Sequence, residues 1–134
     1  GALADAQWGD NAPPWLALRL RSRAAVLAVR PDYAALDGLM VGVFAACGEG
    51  DAVDAQFESR AFIAGEAAPE DPVTGSLNAG IARWLLRESA APDRYVISQG
   101  TVLGRAGRVQ VERVGDALWI GGACVTCIEG SVTL

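Results

Sequence analysis

The residues best arranged to do chemistry lie in one short stretch, Asp71-Pro72-Val73-Thr74-Gly75-Ser76, directly ahead of the strongest helical pattern in the chain. A loop ending Thr-Gly-Ser at a helix start leaves the first backbone N–H groups without intrahelical partners and pointing outward. Gly75 lets a ligand approach the backbone closely, and the helix end carries partial positive charge. Such a terminus holds a carboxylate or phosphate without any basic side chain. Asp71, just outside that ring of donors, is placed to accept from a substrate amine or hydroxyl. The same residues also make an ordinary cap, with Ser76 or Thr74 capping, Gly75 turning and Asp71 in solvent. Capping is the commoner role for such residues.

Two other groups invite chemistry. Arg105 could bind a carboxylate bidentately, although a turn arginine paired with a nearby acid is the more common outcome. Cys124 and Cys127 have CxxC spacing, but in a strand they point to opposite faces, and reactive pairs of this kind sit at helix N-termini. A structural role follows for both.

Composition excludes much else. The chain has 134 residues, 11 basic and 16 acidic, for a net charge of −5. Every basic residue is arginine, with no lysine and no histidine. That removes imidazole bases, Ser-His-Asp triads, histidine-ligated zinc, Schiff bases and P-loops. No metal site and no cofactor is expected. The acidic balance argues against nucleic-acid binding. Three cysteines do not suggest a disulfide framework. No apolar run approaches the ~20 residues that span a membrane, so a soluble cytoplasmic domain is expected. The first residue is Gly1 and the single methionine is Met40, which suggests a processed product, a tag scar or a fragment.

The elements that must position the loop read as α+β, in one domain over residues 1–134. Strands are expected at Trp15–Leu20, Leu39–Cys47 (buried on both faces), Ala52–Ile63, Tyr95–Gln99, Arg108–Val114, Ala117–Ile120 and Ala123–Ile128. Ser22 caps a short helix through Val29, and Asp32 restarts a turn through Leu36. The long helix runs from Ser76 to about Ser89, and its first two turns are apolar almost all round, as suits a helix enclosed by sheet. Gly80 within it suggests close backbone packing, since glycine costs about 1 kcal/mol there. Trp84 reads as core, and Trp8 and Trp15 as candidates for an interface.

Glu70-Asp71-Pro72-Val73-Thr74-Gly75-Ser76, then a helix, then Ser98-Gln99-Gly100 and Leu103-Gly104-Arg105-Ala106-Gly107-Arg108, resembles the C-terminal lobe of the PhzF (phenazine biosynthesis-like) isomerase family. Asn11-Ala12-Pro13-Pro14-Trp15 is similar to the start of that lobe, with alanine where the family often has glycine. Gly121-Gly122-Ala123 and Glu129-Gly130 fit its end.

The resemblance implies a diaminopimelate epimerase-like lobe, a central helix wrapped by a twisted, mostly antiparallel sheet. It implies a cofactor-independent isomerase or epimerase that shifts a proton on a small carboxylate substrate in a cleft between two lobes. Asp71 takes the catalytic role it implies within this lobe, with Thr74, Gly75, Ser76 and Asn11 binding substrate. The general acid/base glutamate belongs to the N-terminal lobe. None of Glu49, Glu58, Glu66, Glu70, Glu88, Glu112 or Glu129 sits in a matching motif. The expected partner is therefore that lobe, or a second copy of the chain in a homodimer. The other readings are a non-catalytic, self-associating carboxylate-binding half-domain and a structural fragment with an incidental cap.

Overall fold

A strand buried on both faces needs two layers to cover it, and Phe57–Ile63 has both. In the computed structural model, which describes residues 1–10, 12–65 and 69–133, Phe57 and Ala61 join a core with Leu77, Ile81 and Trp84, while Phe62 joins another with Val26 and Val43. The chain order is β1 (Leu3–Asp10), β2 (Pro14–Leu20), α1 (Arg23–Ala28), α2 (Tyr33–Leu36), β3 (Met40–Ala46), β4 (Phe57–Ile63), β5 (Glu70–Asp71), α3 (Gly75–Arg87), β6 (Arg94–Gln99), β7 (Gly107–Val114) and β8 (Ala117–Gly121). A 3₁₀ turn, Thr101–Leu103, links β6 to β7.

The sheet has eight strands in the order β1-β2-β3-β4-β6-β7-β8, with β5 paired to β4. Its joins are antiparallel except β2 with β3 and β4 with β6. Helix α3 packs against β1, β2, β7 and β8, so the sheet curls around it. Helices α1 and α2 cover the other face of β3 and β4.

Aromatic pairs fill the inner core. Phe44 meets Trp84 edge-on at 5.1 Å and Phe57 meets Tyr95 at 5.4 Å. Each large side chain buried there contributes about 1.5–3 kcal/mol. At Gly42 an added Cβ would lie 2.2 Å from Leu77 Cδ1. The missing side chain is what lets the first turn of α3 sit down on β3. Ser22 Oγ accepts from the Ala25 amide, and Asp32 accepts from the amides of Ala34 and Ala35. Both short helices therefore start where their caps predict.

Several expectations need correction. The expected strand over 52–63 begins only at Phe57. The Asp51 carboxylate accepts from the Gly48 amide at 2.7 Å, closing a local turn, and Asp54 is drawn to Arg108. Residues 122–133 have no regular structure, so the strand expected at Ala123–Ile128 is absent. Val125 and Ile128 are 85% and 91% exposed, with no strand to pair with. Strand β1 is unannounced in the sequence because both its faces are largely exposed. Trp15 is core, 2% exposed, rather than interfacial, whereas Trp8 is exposed.

Helix α3 is covered through its first two turns, where residues 76–82 are all buried or half-buried, and becomes exposed on one side after them. It buries Leu77, Asn78, Ile81, Ala82, Trp84 and Leu85 but leaves Arg83 and Leu86 exposed. Gly80 does lie close to β1, yet a Cβ there would meet Gly9 Cα at 3.7 Å, an ordinary contact that does not require glycine.

Candidate functional site

The far edge of β4 is forked, and the fork builds the site. Phe57–Ser59 pair with Ile97–Gln99 of β6, and Ala61 and Phe62 then pair with Asp71 and Glu70 of β5. Gln99 therefore arrives at the last position of β6 just where the chain from β5 turns into α3.

Gln99 is fully buried and its amide holds the loop. Its oxygen accepts from the Thr74 amide at 3.0 Å and from Asn78 Nδ2 at 2.7 Å. Its nitrogen donates to the Asp71 carbonyl at 2.8 Å and to Thr74 Oγ1 at 2.9 Å. Because Thr74 Oγ1 accepts from Gln99, its own proton goes to Asp71 Oδ2 at 2.8 Å. Asn78 also donates to the Thr74 carbonyl at 2.8 Å, and Ser59 donates to Asn78 Oδ1 at 3.0 Å. This is a buried network with its members paired, the condition under which polar groups rigidify a core.

Thr74 is the N-cap in extended conformation, but its side chain makes no cap bond. The expected Thr74 or Ser76 capping is thus corrected, because the Thr74 hydroxyl goes to Asp71. Among the described residues, no acceptor takes the amides of Gly75, Ser76 and Leu77, while the Asn78 amide reaches the Thr74 carbonyl. Gly75 is exposed and Ser76 half-buried. Ser76 Oγ accepts from the buried Trp15 indole N–H at 3.0 Å. The structure thus brings Asp71, Thr74, Gly75 and Ser76 together on one edge, whereas Asn11 lies outside the described residues.

The flanking motif residues support this edge from outside. Glu70 is held by Arg60 through two bonds of 2.8 Å, and Arg60 also donates to the carbonyls of Val26 and Val29 at the end of α1. Gly100 and Gly107 admit the loop. A Cβ on Gly100 would lie 2.8 Å from the Pro72 carbonyl oxygen, and one on Gly107 would lie 2.4 Å from Val73 Cγ2. Gly100 also has φ +88°, a conformation that favours glycine. Gly75 borders a groove of about 570 Å³ that runs between α3 and β8, past Ala79, Arg83 and Trp119.

Other candidates fall away from this edge. Arg105 is exposed and, among the described residues, makes no ion pair, so the expected acid partner is not there. Cys124 and Cys127 are free and exposed in the irregular tail rather than structural in a strand. Glu58 is fully buried with Arg23 at 3.0 Å and the Thr101 hydroxyl at 2.6 Å. Glu88 is paired with Arg19, and Glu112 with Arg94. Burial pushes the Cys47 thiol up, partly offset by Arg23. No group of His, Cys, Asp and Glu among the described residues is arranged to hold a metal ion. No helix of the described residues is long and apolar enough to cross a membrane.

Gln99, Asn78 and Trp15 support this edge although their types and local spacing do not mark them out in the sequence. The signal for Gln99 was present, in that it sits between Ser98 and a glycine in one of the motifs.

Comparison with known proteins agrees with the motifs. The chain is similar in structure to a phenazine biosynthesis protein of the PhzF family from Enterococcus faecalis, with 27% identity and a TM-score of 0.68 over 90% of this chain and 43% of that one. A phenazine biosynthesis PhzC/PhzF protein from Clostridium difficile gives 28% identity and a TM-score of 0.67, over 90% of this chain and 45% of that one. A Bacillus anthracis protein of the PhzF family shares the fold at 16% identity, with a TM-score of 0.62 over 84% and 42% of the two chains. No curated protein matches the chain. This chain spans less than half the length of those solved relatives. Residues 3–130 match the phenazine biosynthesis-like protein family, PhzC-PhzF, and the chain belongs to that family.

Proposed function

We propose that this chain is the substrate-binding, C-terminal lobe of a cofactor-independent isomerase or epimerase that shifts a proton on a small carboxylate. Its architecture would be that of a diaminopimelate epimerase-like lobe, with the curled sheet around α3 as support. The observation that carries the proposal is the first turn of α3 beside Asp71, where among the described residues no acceptor takes the Gly75, Ser76 and Leu77 amides.

Removing a proton next to a carboxylate pushes negative charge onto its oxygens. Fixed amide donors at a helix N-terminus stabilise charge that develops there. The Asp71 carboxylate keeps Oδ1 for a substrate amine or hydroxyl, since Oδ2 is taken by Thr74. Glu70, which adjoins the loop, is committed to Arg60 through both oxygens. As the family resemblance implies, the general acid/base is assigned to a second lobe, or to another copy of the chain. Family membership supports the isomerase reading.

NMR titration with 2-aminobenzoate tests the site. The Gly75–Leu77 amides should shift and saturate together, and an unshifted set would remove the anion-binding edge. In the full-length enzyme, Asp71→Ala should lower turnover by about 10²-fold, the scale on which misplacing a substrate slows a reaction. Unchanged kinetics would take Asp71 out of the site.

A further inference from the structure

Trp15 is buried in the core, yet the polar end of its ring emerges under the first turn of α3, with Nε1 3.0 Å from Ser76 Oγ. An indole N–H can only donate, so the Ser76 oxygen is the acceptor in this pair. The hydroxyl proton must then go elsewhere. Among the described residues no protein acceptor receives it. It is therefore free at half-buried Ser76, in the same first turn whose Gly75 and Ser76 amides have no acceptor among the described residues.

We propose that Trp15 is a positioning residue that holds the Ser76 hydroxyl as a proton donor toward the bound carboxylate. The inference rests on the carboxylate-binding reading of the same edge. A serine hydroxyl unconstrained from behind can turn to accept as readily as to donate. With one lone pair taken by Trp15, two directions remain at the oxygen, the O–H and one lone pair, and an anion selects the O–H. Accepting a hydrogen bond also strengthens the one the same group donates. The edge then presents the Gly75 and Ser76 amides and the Ser76 hydroxyl as donors at α3, and an acceptor at Asp71. Trp15 thereby contributes to recognition of an anion it does not touch, because Ser76 lies between them. Satisfying a buried indole would by itself explain the contact, so the test must separate the two roles.

The test is a double-mutant cycle on 2-aminobenzoate binding, with Trp15→Phe, Ser76→Ala and both together in the 134-residue chain. Trp15→Phe keeps most of the ring volume and should weaken binding about 3- to 10-fold, the worth of one ordinary hydrogen bond. In the Ser76→Ala background the same change should alter binding by less than about 2-fold, because its route to the ligand is gone. An equal loss in both backgrounds, or none in the wild type, overturns the inference while leaving the anion site standing. If the wild type fails to bind, the functional reading falls and this one falls with it.

Should Trp15→Phe not fold, the wild-type indole resonance decides. The Trp15 Nε1 proton should shift with the same saturation as the Gly75–Leu77 amides, and Ser76→Ala should abolish that shift. A static indole proton during a saturating amide titration also overturns the proposal.

Discussion

Replacing Gln99 by leucine tests the buried network without changing the volume of the core much. The Thr74 amide would lose its only acceptor among the described residues. Asn78 Nδ2 would keep the Thr74 carbonyl, and Thr74 Oγ1 would keep Asp71, so each of these loses one bond of two. The Asp71 carbonyl loses the Gln99 donor. An orphaned buried donor costs about 1–3 kcal/mol and each lost bond about 0.5–1.5 kcal/mol, so Gln99→Leu should destabilise by about 3–5 kcal/mol. Urea unfolding would show this as a lower midpoint at unchanged slope. The exposed Gln110→Leu is the control and should stay within about 0.5 kcal/mol. A loss below about 1 kcal/mol for Gln99→Leu would refute the claim that this amide holds the loop.

Arg60→Met should be among the most destabilising single changes, by about 3–5 kcal/mol, because it leaves the Glu70 carboxylate unpaired and frees the carbonyls that close α1. Equal midpoints for variant and wild type in the same urea assay would refute it. Burial pushes the Tyr95 phenol from 10.0 up to about 12, and among the described residues its hydroxyl has no partner. The folded state keeps that proton after the unfolded chain has lost it. Stability should therefore be unaffected by this group below about pH 10 and fall as pH rises toward 12. Tyr95→Phe should be near neutral at pH 7 and show a shallower alkaline decline, and identical declines would remove Tyr95 as its cause.

What could be read from the sequence follows the range of the interactions involved. The start of α3 was legible because capping and helix-end chemistry lie within a few residues of Thr74, Gly75 and Ser76. The support behind them was not, since Gln99 is 25 residues from Thr74 and Trp15 is 61 from Ser76. Asn78 is a polar residue in an apolar helical turn, and it is buried because its amide completes the Thr74 carbonyl. The apolar residues near Val125 matched a strand pattern, and no pattern within a segment reveals whether a partner strand exists. β1 failed in the opposite way: it is held by its ladder to β2 rather than by a buried face. The order of motifs along the chain carried further than any local signal, because it reflects the whole tertiary arrangement at once.

The forked edge of β4 acts as a ruler for the site. Ser59 faces Gln99 and Ala61 faces Asp71 on the same strand, two residues apart. Extended backbone sets that interval at about 6.7 Å. The spacing between the residue that braces the loop and the residue proposed to meet the ligand is thus a backbone dimension, independent of the connection between Ile63 and Pro69. That connection is free to change in length or composition across related chains at small entropic cost, while the calibration of the binding edge stays the same.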